Sequence, residues 1–304
     1  MFHKRYVNYL IIIILGLFLN GCLNNKRSKI EINNTKPIVL TTFTVIADMA
    51  RNVAGDRLEV ISITKPGSEI HGYNPTPSDL IKATNASLFI ENGLGLELWA
   101  DKYTADIDLP RVVLSQGIKP ILISEDAYKG KPNPHVWMSP KKAIHYVNNL
   151  VYAFSELDPN GRNIFKKNGE IYKKRLIALD KELQLSLSSI PSSRRILITC
   201  EGAFSYLTSD YGLKEAYLWP VNADSNITPK RMVKLIELIK VNNVPTIFCE
   251  STVNSKAQIE IAKETGSKFG GKFFVDSLSE KGGPAPTYIK LLEHNLNLIK
   301  KGLK

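Results

Sequence analysis

The chain has 304 residues, 43% hydrophobic and 23% charged, which is ordinary for a soluble globular protein of one or two domains and removes any dependence on disulfide or metal staples. Forty Lys and Arg oppose 29 Asp and Glu, a formal net charge of +11. The lysines are scattered, so the excess reads as a solvated surface near anionic lipid and not as a nucleic-acid interface.

Lys4 and Arg5 precede an uncharged apolar run, Leu10 to Leu19. It is too short to span a bilayer comfortably and suits the apolar core of an export signal. It ends in Leu19-Asn20-Gly21-Cys22, which looks like a bacterial lipobox. Cleavage before Cys22 would leave that cysteine to carry lipid. Asn20 is unusual inside such a box, and a plain secretory signal is the alternative. Loss of residues 1–21 removes two basic residues and no acid, lowering the net charge to +9. Residues 22–36 are polar and Asn/Lys-rich, as expected of a tether.

From residue 37 strands and helices alternate. Strands are expected at 38–42, 58–64, 86–91, 112–114 and 121–123, and helices at 44–53, 78–84, 96–104 and 140–157. A proline-free stretch, about 160–188, places apolar residues at helical spacing and predicts one long helix. Strands at 196–199, 216–221, 246–249 and 272–275 then alternate with helices at 204–211, 229–242, 255–265 and 287–301. This pattern predicts an α/β fold: two lobes, 37–158 and 191–304, each a mostly parallel sheet flanked by helices, joined by a linking helix over 159–190.

Ligands of parallel sheets bind beyond the carboxyl ends of the strands. Four residues lie there. His71 sits in Pro66-Gly67-Ser68-Glu69-Ile70-His71, and His135 in Asn133-Pro134-His135-Val136-Trp137. Glu201 follows Thr199-Cys200, and Asp276 follows Phe274-Val275. Two imidazoles from one lobe facing two carboxylates from the other would make a cation site. Each also has a plainer reading, as a turn, surface or helix-capping residue. Glu250 is a rival ligand or a support, whereas His145 and His294 fall on helices and are expected at the surface. Cys200 and Cys249 lack a CxxC spacing. A disulfide would need neighbouring strands, and in-sheet geometry is often poor, so two buried thiols are expected, with pairing left open.

The chain resembles the metal-binding solute-binding proteins of bacterial ABC importers, which handle zinc, manganese and iron. The matching stretches are Pro66-Gly67 through His71, Tyr73-Asn74-Pro75-Thr76-Pro77-Ser78-Asp79, Asn92-Gly93-Leu94 with Leu96-Glu97-Leu98-Trp99, Asn133 through Trp137, Glu201-Gly202-Ala203-Phe204 with Tyr211-Gly212-Leu213, and Asp276-Ser277-Leu278. Leu218-Trp219-Pro220-Val221-Asn222-Ala223-Asp224 and Ser279-Glu280-Lys281-Gly282-Gly283-Pro284 are similar to the iron/manganese branch. The resemblance implies metal ligands at His71, His135, Glu201 and Asp276, and two lobes bridged by one long helix. It also implies an exported, lipid-anchored, monomeric receptor serving a permease and its ATPase, with no enzymatic role. Zinc-handling relatives usually carry a histidine where this chain has Glu201, so Mn²⁺ or Fe²⁺ is the expected cargo, with Zn²⁺ able to bind as well. A zinc receptor, a metalloenzyme and an added adhesin role are the alternatives.

Overall fold

The computed structural model describes residues 36–222 and 227–303; the expected export signal, Cys22 and all of the expected tether but Lys36 lie outside them. Four strands, β1 (Ile38–Thr41), β2 (Glu59–Ser62), β3 (Leu88–Glu91) and β4 (Arg111–Val113), form an all-parallel sheet in the order β2-β1-β3-β4. The inner strand β3 is buried along its whole length, as a parallel strand covered on both faces must be. Helices α1 (Thr44–Ala54), α2 (Pro77–Thr84) and α3 (Leu98–Thr104) belong to this half. Thr76 caps α2: its hydroxyl accepts from Asp79 N–H, and the Asp79 carboxylate accepts from Thr76 N–H, a reciprocal capping box that fastens the chain leading out of the His71 loop.

Helices α4 (Pro140–Leu157) and α5 (Arg162–Ser188) follow. In α5, Phe165, Tyr172, Leu176, Leu179, Leu183 and Leu187 are buried, a stripe of steps of three, four and seven along one face. Gly169 completes it. A Cβ there would lie 2.5 Å from Val151 Cγ2 on α4, so a glycine is needed for the two helices to pack this closely at that point. The last half holds two parallel pairs, β5 (Ile196–Glu201) with β6 (Lys214–Trp219) and β7 (Thr246–Glu250) with β8 (Lys268–Phe273). Helices α6 (Ser205–Tyr211), α7 (Pro229–Asn242), α8 (Lys256–Thr265) and α9 (Tyr288–Leu303) flank them. The fold is α/β, with parallel sheets covered by helices. One apolar cluster runs from Val39 and Phe43 through Trp137 and Leu176 to Phe204, Phe248 and Phe273, so both halves share a core.

Three expectations are corrected. Ile121-Leu122-Ile123 is not a sheet strand: it folds back on residues 130–133, Ile123 N–H donating to Lys131 O and Asn133 N–H to Ile121 O, at 2.9 and 2.8 Å. The triplet thereby orients the loop that carries Asn133. The last strand is Lys268–Phe273 and not 272–275. Gly270 and Gly271 hide it, having no side chains to show an alternation; a Cβ on Gly270 would lie 2.3 Å from the Phe248 ring. Cys200 and Cys249 are not free thiols but a disulfide, because β5 and β7 run side by side and bring the two Cα atoms to 4.8 Å.

Candidate metal centre

His71, His135, Glu201 and Asp276 meet in one cluster, each offering a ligand atom within 4.8 Å of the others. His71 Nε2 lies 3.2 Å from His135 Nε2 and 3.2 Å from Glu201 Oε1. His135 Nε2 lies 3.4 Å from Glu201 Oε1 and 3.7 Å from Asp276 Oδ1. Glu201 is the last residue of β5, and Asp276 stands three residues beyond β8. His135 immediately precedes a short 3₁₀ turn, Val136–Met138. His71 lies in the long loop between β2 and α2. His135, Glu201 and Asp276 are fully buried, and the His71 side chain is 4% exposed. A cleft of about 480 Å³ reaches His71, lined by Leu94, Leu96, Ile123, Pro132 and Pro134.

Neighbouring groups aim these side chains. His135 Nδ1–H donates to Asn133 Oδ1 at 2.9 Å, an oxygen that can only accept, which turns the Nε2 lone pair toward the cluster. Asn133 Nδ2 donates to Gly202 O at 2.6 Å and to Ser205 Oγ at 3.1 Å, tying the His135 loop to the segment just after Glu201. Trp137 Nε1 donates to Val275 O at 3.1 Å, joining the residue two beyond His135 to the one before Asp276. The Glu69 carboxylate accepts from the N–H groups of His71 and Gly72. Trp99 Nε1 donates to Ile70 O at 3.0 Å.

The carboxylates are each half engaged. Glu201 Oε1 accepts from Asn222 N–H at 2.6 Å, and Asp276 Oδ2 from Asn222 Nδ2 at 2.9 Å. Among the described residues, Glu201 Oε2 and Asp276 Oδ1 are buried without a hydrogen-bond partner, as is Glu250 Oε1. Buried acceptors left unpaired are costly unless a cation completes them. Two imidazole nitrogens and two carboxylates are the donor set of a divalent transition metal, and two anionic and two neutral donors balance a dication in a dry site. Glu250 Oε2 accepts Glu201 N–H at 3.1 Å, so Glu250 supports the cluster without joining it.

The electrostatics describe a site that holds protons where a cation belongs. Burial would lower the His71 pKa, but the Glu201 charge and hydrogen bond outweigh it and push the pKa up to about 9. Burial would raise Glu201, but the two imidazoles hold it at about 2. Burial lowers His135. Burial, reinforced by the Glu201 charge, raises Asp276 and Glu250 well above the usual carboxylate range. The Glu201 charge is thus held by two imidazoles, and the two carboxyls beside it are biased toward their protonated forms.

The family described as zinc-uptake complex component A, periplasmic, matches residues 39–302. The chain belongs to this family. It is 47% identical over 265 residues to the iron-binding protein YfeA of Yersinia pestis, across 87% of this chain and 85% of that one. It is 30% identical over 308 residues to the manganese ABC transporter substrate-binding lipoprotein PsaA of Streptococcus pneumoniae, across 99% of each. A Mn-bound periplasmic metal binding protein from Candidatus Liberibacter asiaticus superposes with a TM-score of 0.83 at 35% identity, across 88% of this chain and all of that one.

For a member of the zinc-uptake family, the supports were less legible than the four clustered residues. Asn133 and Trp137 stand in the stretch that carries His135, yet nothing local says where their side chains point. Asn222 has no mark of its own beyond its place in Leu218–Asp224. His145 and His294 are half-buried, lie outside the cluster, and bond the Gln116 and Lys272 carbonyls.

Proposed function

We propose that this chain captures one divalent transition metal ion, Mn²⁺ or Fe²⁺, on His71, His135, Glu201 and Asp276, and delivers it to an ABC permease. The observation that carries the reading is the convergence of two buried imidazole Nε2 atoms on the Glu201 and Asp276 carboxylates, each of which keeps one buried oxygen without a hydrogen-bond partner among the described residues. Similarity to an iron-binding protein and to a manganese ABC transporter lipoprotein supports this choice of ion. His71 borders the cleft and is the ligand a cation meets first. The chain's role is transport and not catalysis, a reading supported by relatives that are binding proteins and ABC transporter substrate-binding lipoproteins. We extend the proposal to the whole chain: an export signal at 1–21, a lipid on Cys22, a tether over 22–36, an N-terminal lobe at 37–158, a linking helix at 159–190 and a C-terminal lobe at 191–304. It works as a monomer beside a permease and its ATPase.

One observation favours a zinc reading as well: four free donor atoms also suit a tetrahedral ion. Competition titrations with Mn²⁺, Fe²⁺ and Zn²⁺ on the wild type and on Glu201→Ala test both. Loss of about 100-fold or more in affinity for all three ions is expected, since a ligand is removed. Full Mn²⁺ and Fe²⁺ affinity in Glu201→Ala would refute the site.

A further inference from the structure

Both acidic members of the cluster depend on one residue. Asn222 lies three residues beyond the end of β6, and it meets Glu201 through its main chain and Asp276 through its side chain. Its N–H donates to Glu201 Oε1 at 2.6 Å. Its Nδ2 donates to Asp276 Oδ2 at 2.9 Å. The direction of the amide is determined, because its Oδ1 accepts from Trp219 Nε1 at 2.8 Å, and an indole N–H can only donate. Among the described residues, the other donor to Asp276 Oδ2 is Thr252 Oγ1, at a long 3.4 Å. Each carboxylate therefore has one oxygen held and one, Glu201 Oε2 or Asp276 Oδ1, without a partner.

In Asp276 the free oxygen, Oδ1, is the one that faces His135 Nε2, at 3.7 Å, and chelation through Oδ2 as well would weaken a buried, charge-assisted hydrogen bond. We propose that Asn222 is a selectivity-determining positioning residue: its amide holds Asp276 to a single donor oxygen, keeps the site at four protein donors, and so limits its preference for ions of higher coordination number. This rests on the reading of His71, His135, Glu201 and Asp276 as metal ligands. The bond to Glu201 comes from the main chain and survives side-chain replacement, so a change at Asn222 isolates Asp276. Releasing Asp276 adds a fifth donor, which suits Mn²⁺ with its oxygen-rich, higher coordination and brings nothing to a tetrahedral Zn²⁺.

The test uses the purified full-length chain as wild type, Asn222→Ala and Trp219→Phe. Mn²⁺ and Zn²⁺ affinities are measured by competition against a chelator, and coordination number by X-ray absorption at the Mn edge. In the wild type, one oxygen from each carboxylate is expected at Mn²⁺. Asn222→Ala is expected to raise the Mn²⁺-to-Zn²⁺ affinity ratio about tenfold, the size of one charge-assisted hydrogen bond, and to add one oxygen at Mn²⁺. Trp219→Phe, which frees the amide to turn, is expected to move the ratio the same way by less. Two chelating carboxylates in the wild type would overturn the inference even if neither variant folds. An equal fall in both affinities with unchanged coordination would overturn it too, since a merely structural residue does that. A wild type that binds neither ion would overturn the receptor reading itself, and this inference with it.

Discussion

At the scale of single residues, the cluster depends on groups that never touch the ion. Trp137 shows how. Its indole packs 5.0 Å from the Phe43 ring and 5.2 Å from the His135 ring, while its N–H satisfies the carbonyl before Asp276. The side chain is fully buried, so Trp137→Phe removes the donor and leaves Val275 O unpaired. A loss of about 1–3 kcal/mol is expected by denaturant titration. Mn²⁺ affinity should fall too, because His135 and Asp276 lose a common brace; an unchanged affinity would show that the brace is structural only. His71 and Glu201 were legible because strand ends and stiff Pro/Gly loops are where ligands are held. The half-engaged state of Asp276 was not, because Asn222 reaches it across 54 residues of chain.

At the scale of elements, β5 and β7 carry the same order, a cysteine followed by a glutamate, at their last two positions. The disulfide joins the cysteines, and Glu250 takes the Glu201 N–H. The bridge closes a sequence separation of 49 residues. On the chain-entropy account, Cys200→Ser with Cys249→Ser should cost about 2–4 kcal/mol. The check is the unfolding midpoint of wild type and double variant with and without reductant; reductant should lower the first and leave the second unmoved. On α5, Leu176→Ala empties a fully buried position and should cost about 2–5 kcal/mol in urea unfolding. These strands were misjudged where their side chains are missing or small. Gly270 and Gly271 erase the alternation of β8, and cysteine pairing depends on which strands become neighbours.

At the scale of the whole molecule, metal and protons compete for one site. His71 is raised from 6.5 to about 9, so its protonation stabilises the metal-free fold. That contribution is full below pH 6.5 and is lost as pH rises through about 9. The metal must displace the same proton, so affinity should rise with pH below about 9, by about tenfold per unit for each proton released. Mn²⁺ titrations across neutral pH, with proton release followed in parallel, check this; an affinity independent of pH would refute it. Loading should also stabilise the fold, by about 2.7 kcal/mol at an ion concentration 100 times the dissociation constant, and chelation should reverse the gain. The shared core and α5 resist hinge motion, so small local rearrangement is expected on loading. Metal-free and loaded crystal structures differing by a lobe rotation of tens of degrees would contradict that.

The α/β class, the long helix and the four clustered residues could be read from residue order, because strand–helix alternation and loop chemistry are local properties. Hydrophobic period, proline placement and the positions of strand ends need no knowledge of distant neighbours. The disulfide, the fold-back of Ile121–Ile123, the brace from Trp137 and the grip of Asn222 on Asp276 were decided only in three dimensions. Each depends on which segments pack together, and a side chain's hydrogen-bond partner is set by that packing and not by the residues beside it in the chain.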